Sequence, residues 1–319
     1  MHALGMNVVL IPFFLAARVS IDSTWEHGPE YVFQVLVNST AVPEEEGFDS
    51  VRLNLAAKLI CQPKRLRTLS CHFDDSKASS FVSDSHDPDV VDATQMSEAS
   101  RQKAYEISQD QFELKFGERG LESLLVNEDI QPRELDMIRV IVGQLHVGAI
   151  VTNRTERSYE LVENFTQGEC ATTFFLERKS GWRASFFRRP YVLETAFRLR
   201  TDQILQIRKV RNLYMCMHKV AYFFGSADSL REQRDILSAL SSSESHITIT
   251  PTEFVSGTTN IVTTSKIDEP LLTTLYENIG VRLESINPAE GEPPEVKSPE
   301  YASIFIGSWL MDSSFEDES

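Results

Sequence analysis

The chain has 319 residues, 41% of them hydrophobic, and a formal net charge of −16 at pH 7. That length accommodates one large or two medium domains with an ample core, and that charge argues against bulk binding to nucleic acid. One segment runs against the trend: from Arg178 to Lys219 eleven basic residues face two acidic ones, +9 net, which leaves −25 for the rest; this suggests a basic surface on an acidic protein, or exposed strand residues that happen to be arginine.

At the N-terminus, Val8 to Ala17 reads VVLIPFFLAA. The run has signal-peptide length and is too short to span a bilayer. Residues 1–20 are read as a leader cleaved between Ala17 and Ser23, with a buried first strand as the alternative; the n-region lacks Lys and Arg. No later run is long enough to cross a membrane, so the mature chain is expected to be soluble and extracellular. Three glycosylation sequons, at Asn38, Asn153 and Asn164, agree with secretion. Four cysteines, Cys61, Cys71, Cys170 and Cys216, allow three disulfide pairings. A Cys170–Cys216 bridge would contribute about 4 kcal/mol by loop closure. Cys61 and Cys71 flank a turn at unequal distances, so they need not face each other, and free thiols are the alternative.

Tyr31 to Val37 alternates as a strand, with Tyr31, Phe33, Val35 and Val37 on one side. Val51 to Cys61 is a second strand, 62–65 a turn, and Leu66 to Phe73 the return. Asp74 to Lys103 is rich in Asp and Ser and reads as a long loop. Its Asp84, His86, Asp87, Asp89 cluster lacks EF-hand spacing and glycine, so it is read as solvated acid, not as a metal site. Gln111–Phe116 and Leu121–Val126 form a hairpin across Gly117–Gly120.

Pro132 to Val147 is the clearest helix. Leu135, Ile138, Val142 and Leu145 repeat at helical spacing, and Met137 and Ile141 widen the stripe. Pro132 suits the first helical position, Glu134 suits the positive end of the dipole, and Gly148 is a natural stop. So wide an apolar arc belongs in an interior. Burying its six side chains is worth roughly 9–18 kcal/mol gross.

Strand-like segments follow at 159–163, 170–177, 182–187 and 192–199. Residues 204–224 read as strand or helix, and 228–243 as a short helix ending in a Ser-rich linker. Strands are expected at 247–249, 258–264 and 279–286, then a Pro/Glu-rich linker at 290–299, a last strand at 301–310 and an acidic tail. The fold class is therefore mainly β: a barrel-like antiparallel sheet wrapped around a central helix (about 132–147), with minor additional helix.

Catalytic signatures are absent. The sequence has no G-x-S-x-G elbow, no phosphate-cradling Gly loop, no C-x-x-C and no H-E-x-x-H. The seven histidines form no short ligand pair. The chain is read as a non-enzyme without a metal or cofactor.

Five segments, in order, resemble the N-terminal domain of vitellogenin-like large lipid transfer proteins. Trp25-Glu-His-Gly-Pro-Glu-Tyr-Val-Phe33 is similar to the opening Trp and E-Y-x-[YF] strand. Phe112-Glu-Leu-Lys-Phe-Gly-Glu-Arg-Gly-Leu121 resembles the F-E-I-x-[YM]-x-x-G-x-[IV] hairpin. Ile130 to Leu145 resembles the central helix, where N-I-L-K-x-I-[VL]-S-x-[LF] is usual. Glu163 to Cys170, ENFTQGEC, is similar to E-x-x-x-x-G-x-C, and Lys209 to Cys216, KVRNLYMC, to K-T-[KR]-x-[LF]-x-x-C. The resemblance implies a β-barrel-like sheet around a helix over about 24–286, with 287–319 as linker, last strand and tail. It implies a secreted lipid-transport or yolk-lipoprotein-type protein, with lipid as the expected ligand and no cofactor. The helical arch and cavity sheets that follow in full-length relatives have no counterpart here, so the alternative is a receptor- or partner-binding module without lipid cargo. In the family the basic segment before the cysteine resembles the part implicated in binding lipoprotein receptors, whose ligand-binding repeats are acidic. The matching residues are Arg208, Lys209 and Arg211, with Lys219 just beyond, and Cys170–Cys216 is the expected bridge.

Overall fold

Alternation of apolar and polar residues with period two turns most of this chain into strands. The computed structural model describes residues 9–11, 15–19, 25–45, 50–65, 67–83, 107–117, 120–147, 157–180, 191–195, 202–217, 236–266 and 272–306. The strands are β1 (Val9–Ile11), β2 (Leu15–Val19), β3 (Pro29–Pro43), β4 (Ser50–Arg65), β5 (Thr68–Ser83), β6 (Phe112–Gly117), β7 (Gly120–Asn127), β8 (Ser158–Phe165), β9 (Gly168–Ser180), β10 (Tyr191–Thr195), β11 (Gln203–Met217), β12 (Ile236–Ile249), β13 (Phe254–Lys266), β14 (Thr273–Pro288) and β15 (Pro299–Ser303). One helix, α1 (Pro132–Val142), lies between β7 and β8 and runs into a 3-10 turn at Gly143–Leu145.

Twelve strands form a single antiparallel sheet in the order β15-β7-β6-β5-β4-β3-β14-β13-β12-β11-β9-β8. The sheet is open, but it curls until its ends approach each other. Asn164 on β8 donates to the Leu121 carbonyl on β7 at 3.4 Å, and Ile306 N donates to the Thr166 carbonyl at 2.7 Å. The expected wrap of sheet around one helix is therefore the observed fold. Inward residues such as Tyr31, Phe33, Phe73, Phe112 and Phe254 are at most 2% exposed. They meet α1, whose Leu135, Ile138, Ile141 and Val142 are equally sequestered. Arg139 on α1 is 1% exposed, donates to the Ser303 carbonyl at 2.9 Å and pairs with Asp136 at 2.7 Å. The helix ends at Gly143, earlier than the expected stop at Gly148.

Several expectations are corrected. Residues 236–243 are not helix or linker but the first half of β12, because Ser243 and Ser245 point inward and find partners there. The proposed 62–65 turn continues β4, and the chain reverses between Arg65 and Thr68, with Arg67 at φ 70°. A bulge between Pro63 and Arg65 shifts the register by one, which sets Cys61 opposite Cys71. The two are not free thiols: they form a disulfide with an S–S distance of 2.08 Å. Strand β5 runs on through Asp74 and Asp75 to Ser83; the Asp84–Asp89 cluster and the segments 182–187 and 307–319 lie outside the described residues.

The 289–298 segment is strapped against the sheet. Ala289 N donates to the Gly28 carbonyl, Lys64 pairs with Glu295 at 2.5 Å, and Val296 is 7% exposed. At the other end of the chain, β2 pairs along β10 from Leu15–Thr195 to Val19–Tyr191, and β1 pairs with β2. Within the segment read as a leader, residues 9–11 and 15–19 are strand in this fold.

Candidate functional site

Strand β11 carries the residues that the sequence singled out, and its parity decides where they go. Leu205, Ile207, Lys209 and Arg211 share one side, and all four are buried. Lys209 and Arg211 therefore follow their apolar neighbours inward. Charged groups taken out of water require partners, and these come from β8 and from the end of α1. Lys209 Nζ donates to Glu163 Oε2 at 2.9 Å and to the His146 carbonyl at 2.7 Å, and it sits 5.4 Å from the Phe174 ring centre. Arg211 Nε lies 3.3 Å from Glu163 Oε1. The Arg211 guanidinium stacks 4.0 Å from the Phe165 centroid and donates to Ser243 Oγ at 3.1 Å and Ser245 Oγ at 2.8 Å.

His146 completes the cluster. Its Nδ1 accepts from Leu121 N at 3.4 Å, which assigns the ring proton to Nε2, 3.1 Å from Glu163 Oε2. Gly120 makes room for it: φ is +106° there, and a Cβ would collide with the imidazole. The network reaches the 3-10 turn through Ser245 Oγ, Thr258 Oγ1 and Gln144 Oε1, at 2.7 and 2.8 Å. One chain of polar contacts thereby ties the helix end to β8, β11, β12 and β13.

Electrostatics follow from the packing. Burial pushes the Glu163 carboxyl upward, but Lys209 and Arg211 outweigh it and hold it well below the usual carboxylate range. Burial lowers Lys209 to about 8 despite Glu163. Burial, helped by Lys209, lowers His146 and keeps it neutral. The arrangement, at most 7% exposed, positions the elements around it.

What it positions is a surface bulge. After the Arg211–Thr172 pair the next aligned pair is Cys216–Cys170, so residues 212–215 stand opposite Ala171 alone. The Cys170–Cys216 disulfide (S–S 2.12 Å) closes the bulge, and Asn212 Oδ1 accepts from Tyr214 N at 3.2 Å inside it. Tyr214 is 101% exposed and Met215 58%.

The other sequence candidates scatter. Arg208 points outward, where Glu244 binds it through Nε at 2.5 Å and Nη2 at 2.9 Å beside the Phe175 ring. Lys219 and Asn153 lie outside the described residues. Asn38 is exposed on the outer face of β3. Asn164 is half-buried, with its amide nitrogen bonded to Leu121, and Thr166 of its sequon is 7% exposed. Sequence reading missed Glu163 and His146 as members of the cluster. It also missed Glu277, 0% exposed on the inner face of β14, near Asn260 at 3.4 Å. Burial raises the Glu277 carboxyl well above its ordinary value. The period-two pattern Tyr159, Leu161, Glu163, Phe165 was the available signal for Glu163. Among the described residues no group of His, Cys, Asp and Glu is arranged to hold a metal ion, and no helix is long and apolar enough to cross a membrane.

A family model described as the vitellogenin N-terminal domain matches residues 25–282. The fold is similar to that of a solved structure concerned with lipid–protein interactions in lipovitellin, at a TM-score of 0.58 and 12% identity, over 91% of this chain. The match spans 28% of that larger chain. No curated protein matches the sequence.

Proposed function

Because the chain belongs to the vitellogenin N-terminal domain family, we propose that it is a secreted lipid-transport protein of the yolk-lipoprotein type. The observation that carries this reading is the family match over residues 25–282, on a fold similar to that of the lipovitellin structure. On this reading residues 1–20 act as the leader, 24–286 as the barrel-like domain, and 287–319 as the appended segment. Of the two sequons within the described residues, Asn38 is the better placed for a glycan.

A second reading, a receptor- or partner-binding module without cargo, is favoured by two observations. The space inside the wrap is occupied by α1 and aromatic rings, and the bulge sets Tyr214 and Met215 into solvent as interface anchors. Burial of Lys209 and Arg211 narrows the basic docking element to Arg208 and to Lys219 beyond it.

Lipid extraction and mass spectrometry on the purified secreted protein test the choice. Stoichiometric phospholipid or neutral lipid is the expected result. A lipid-free protein that binds a lipoprotein receptor in a salt-sensitive way, and loses binding on Tyr214→Ala with Met215→Ala, would replace transport with docking. Sequencing the mature N-terminus checks the leader: a start between residues 18 and 24 is expected, and a start at Met1 would keep β1 and β2 in the working protein.

A further inference from the structure

A cleft lies on the outer face of the sheet, away from the ion cluster. A polar row crosses four strands: the register pairs Asn287 on β14 with Glu30 on β3 and Gln62 on β4 with Ser70 on β5, and a Gln62–Glu30 hydrogen bond joins the two pairs. Ile60 and His72 form the next row. The 289–298 strap crosses beside these rows and turns them into a cleft of about 440 Å³, with Pro288, Glu290, Gly291, Glu292 and Pro294 as its far wall. Gln111 closes one end and is fixed by donating to Ser70 Oγ at 2.9 Å. The walls are held independently of any ligand. The Gly28 carbonyl and Lys64 anchor the strap, and Cys61–Cys71 locks the strands beneath.

The lining has a one-sided chemistry. Glu30, Glu290 and Glu292 contribute carboxylates, Gln62, Gln111 and Asn287 contribute amides, His72 contributes an imidazole, and no Lys or Arg lines the cleft. Glu30 is half-buried and accepts from Gln62 Nε2 at 3.3 Å, which leaves acceptor capacity facing the cleft. An anion would meet three like charges. A quaternary ammonium prefers a cage of Trp, Tyr or Phe rings, and none of these lines this site. A cation that donates several hydrogen bonds suits the set, because carboxylates and amide oxygens accept from it directly.

We infer that this cleft binds a small hydrogen-bonding organic cation, a primary ammonium or a guanidinium. Glu30 is its main carboxylate and Glu290 and Glu292 its rim. The source is either a free amine or an ethanolamine-type lipid headgroup. The inference does not depend on whether the protein carries lipid in bulk.

The test titrates the full protein with ethanolamine, guanidinium and choline, reading the side-chain amide signals of Gln62 and Gln111 by NMR. Saturable shifts with ethanolamine and guanidinium, weakened by salt and absent with choline, are expected. Glu30→Gln should weaken binding at least tenfold. Glu292→Gln, on the exposed rim and outside the packed sheet, should weaken it about two- to threefold with an unchanged melting temperature. No shift with either donor cation, an equal response to choline, or full binding by both variants would overturn the inference. Flotation with vesicles of phosphatidylethanolamine or phosphatidylcholine separates the sources. Selective capture by phosphatidylethanolamine identifies a headgroup site, and its absence beside soluble-amine binding identifies a free-amine site.

Discussion

At the scale of single residues, the molecule depends on charges it has hidden. Glu163 faces two buried cations and a neutral His146, so removing its charge strands Lys209 and Arg211 without a counterion. Glu163→Gln is therefore expected to cost about 3–5 kcal/mol in urea unfolding; a loss under 1 kcal/mol would mean that the cluster is hydrated or rearranged. Acid acts on the same groups. Below about pH 6.5 the unfolded chain gains a proton at His146 that the folded chain refuses, so stability falls. Below about pH 4.5 the unfolded Glu163 also binds a proton while the folded one stays ionised, and stability falls further. Glu277 has the opposite sign. Burial keeps it protonated, so above about pH 4.5 folding must take up a proton and stability declines as pH rises. Glu277→Gln should raise the urea midpoint more at pH 8 than at pH 5, and an equal gain at both would show that the carboxyl does not titrate on folding. Little of this was legible beforehand. The sequence shows Arg208, Lys209 and Arg211 as one basic run, whereas a strand sends 208 out and 209 and 211 in. Because 204–224 read equally as helix, the parity that separates them had no anchor.

At the scale of elements, what was legible is what is local. Alternation found β3, β4, β6, β7 and β14, and helical spacing found α1, because each carries its own apolar face. β12 was misread because Ser241, Ser242 and Ser243 look like linker until a partner for them is known. Their partners lie on other strands, Ile261 for Ser241 and Arg211 for Ser243, a long-range fact. The Cys61–Cys71 pair turned on one bulged residue, which composition does not reveal. The two disulfides now make a ranked prediction. Cys170–Cys216 spans 46 residues and Cys61–Cys71 spans 10. By loop closure the first should contribute about 4 kcal/mol and the second about 3. Denaturation of the two double Cys→Ala variants measures this, and a reversed order would place the stabilisation in local packing instead of chain entropy. Removing Cys170–Cys216 should also release the Tyr214 bulge, and on the docking reading receptor binding should suffer beyond the loss of stability.

At the scale of the whole molecule, the sheet order holds two meanders placed side by side. β3 to β7 run consecutively toward one edge, where β15 joins them, and β14 back to β8 run toward the other, with β10 diverted to the small sheet. Among the described residues the β3–β14 ladder is the one strand pairing that joins the halves, with Tyr31 opposite Ile286 and Val35 opposite Val281. The order of strands along the chain follows from local reading, but this seam does not, since its partners stand almost the whole domain apart. It also sets a schedule for synthesis. The first meander leaves the ribosome with β3 presenting a long, apolar and unpaired edge, and β14 is nearly the last strand to emerge. For most of translation, then, the nascent chain carries an open template for pairing with its neighbours. The cell must shield that edge until the final strand arrives, and a slow β14 would send the chain toward aggregation instead of a stable half-product.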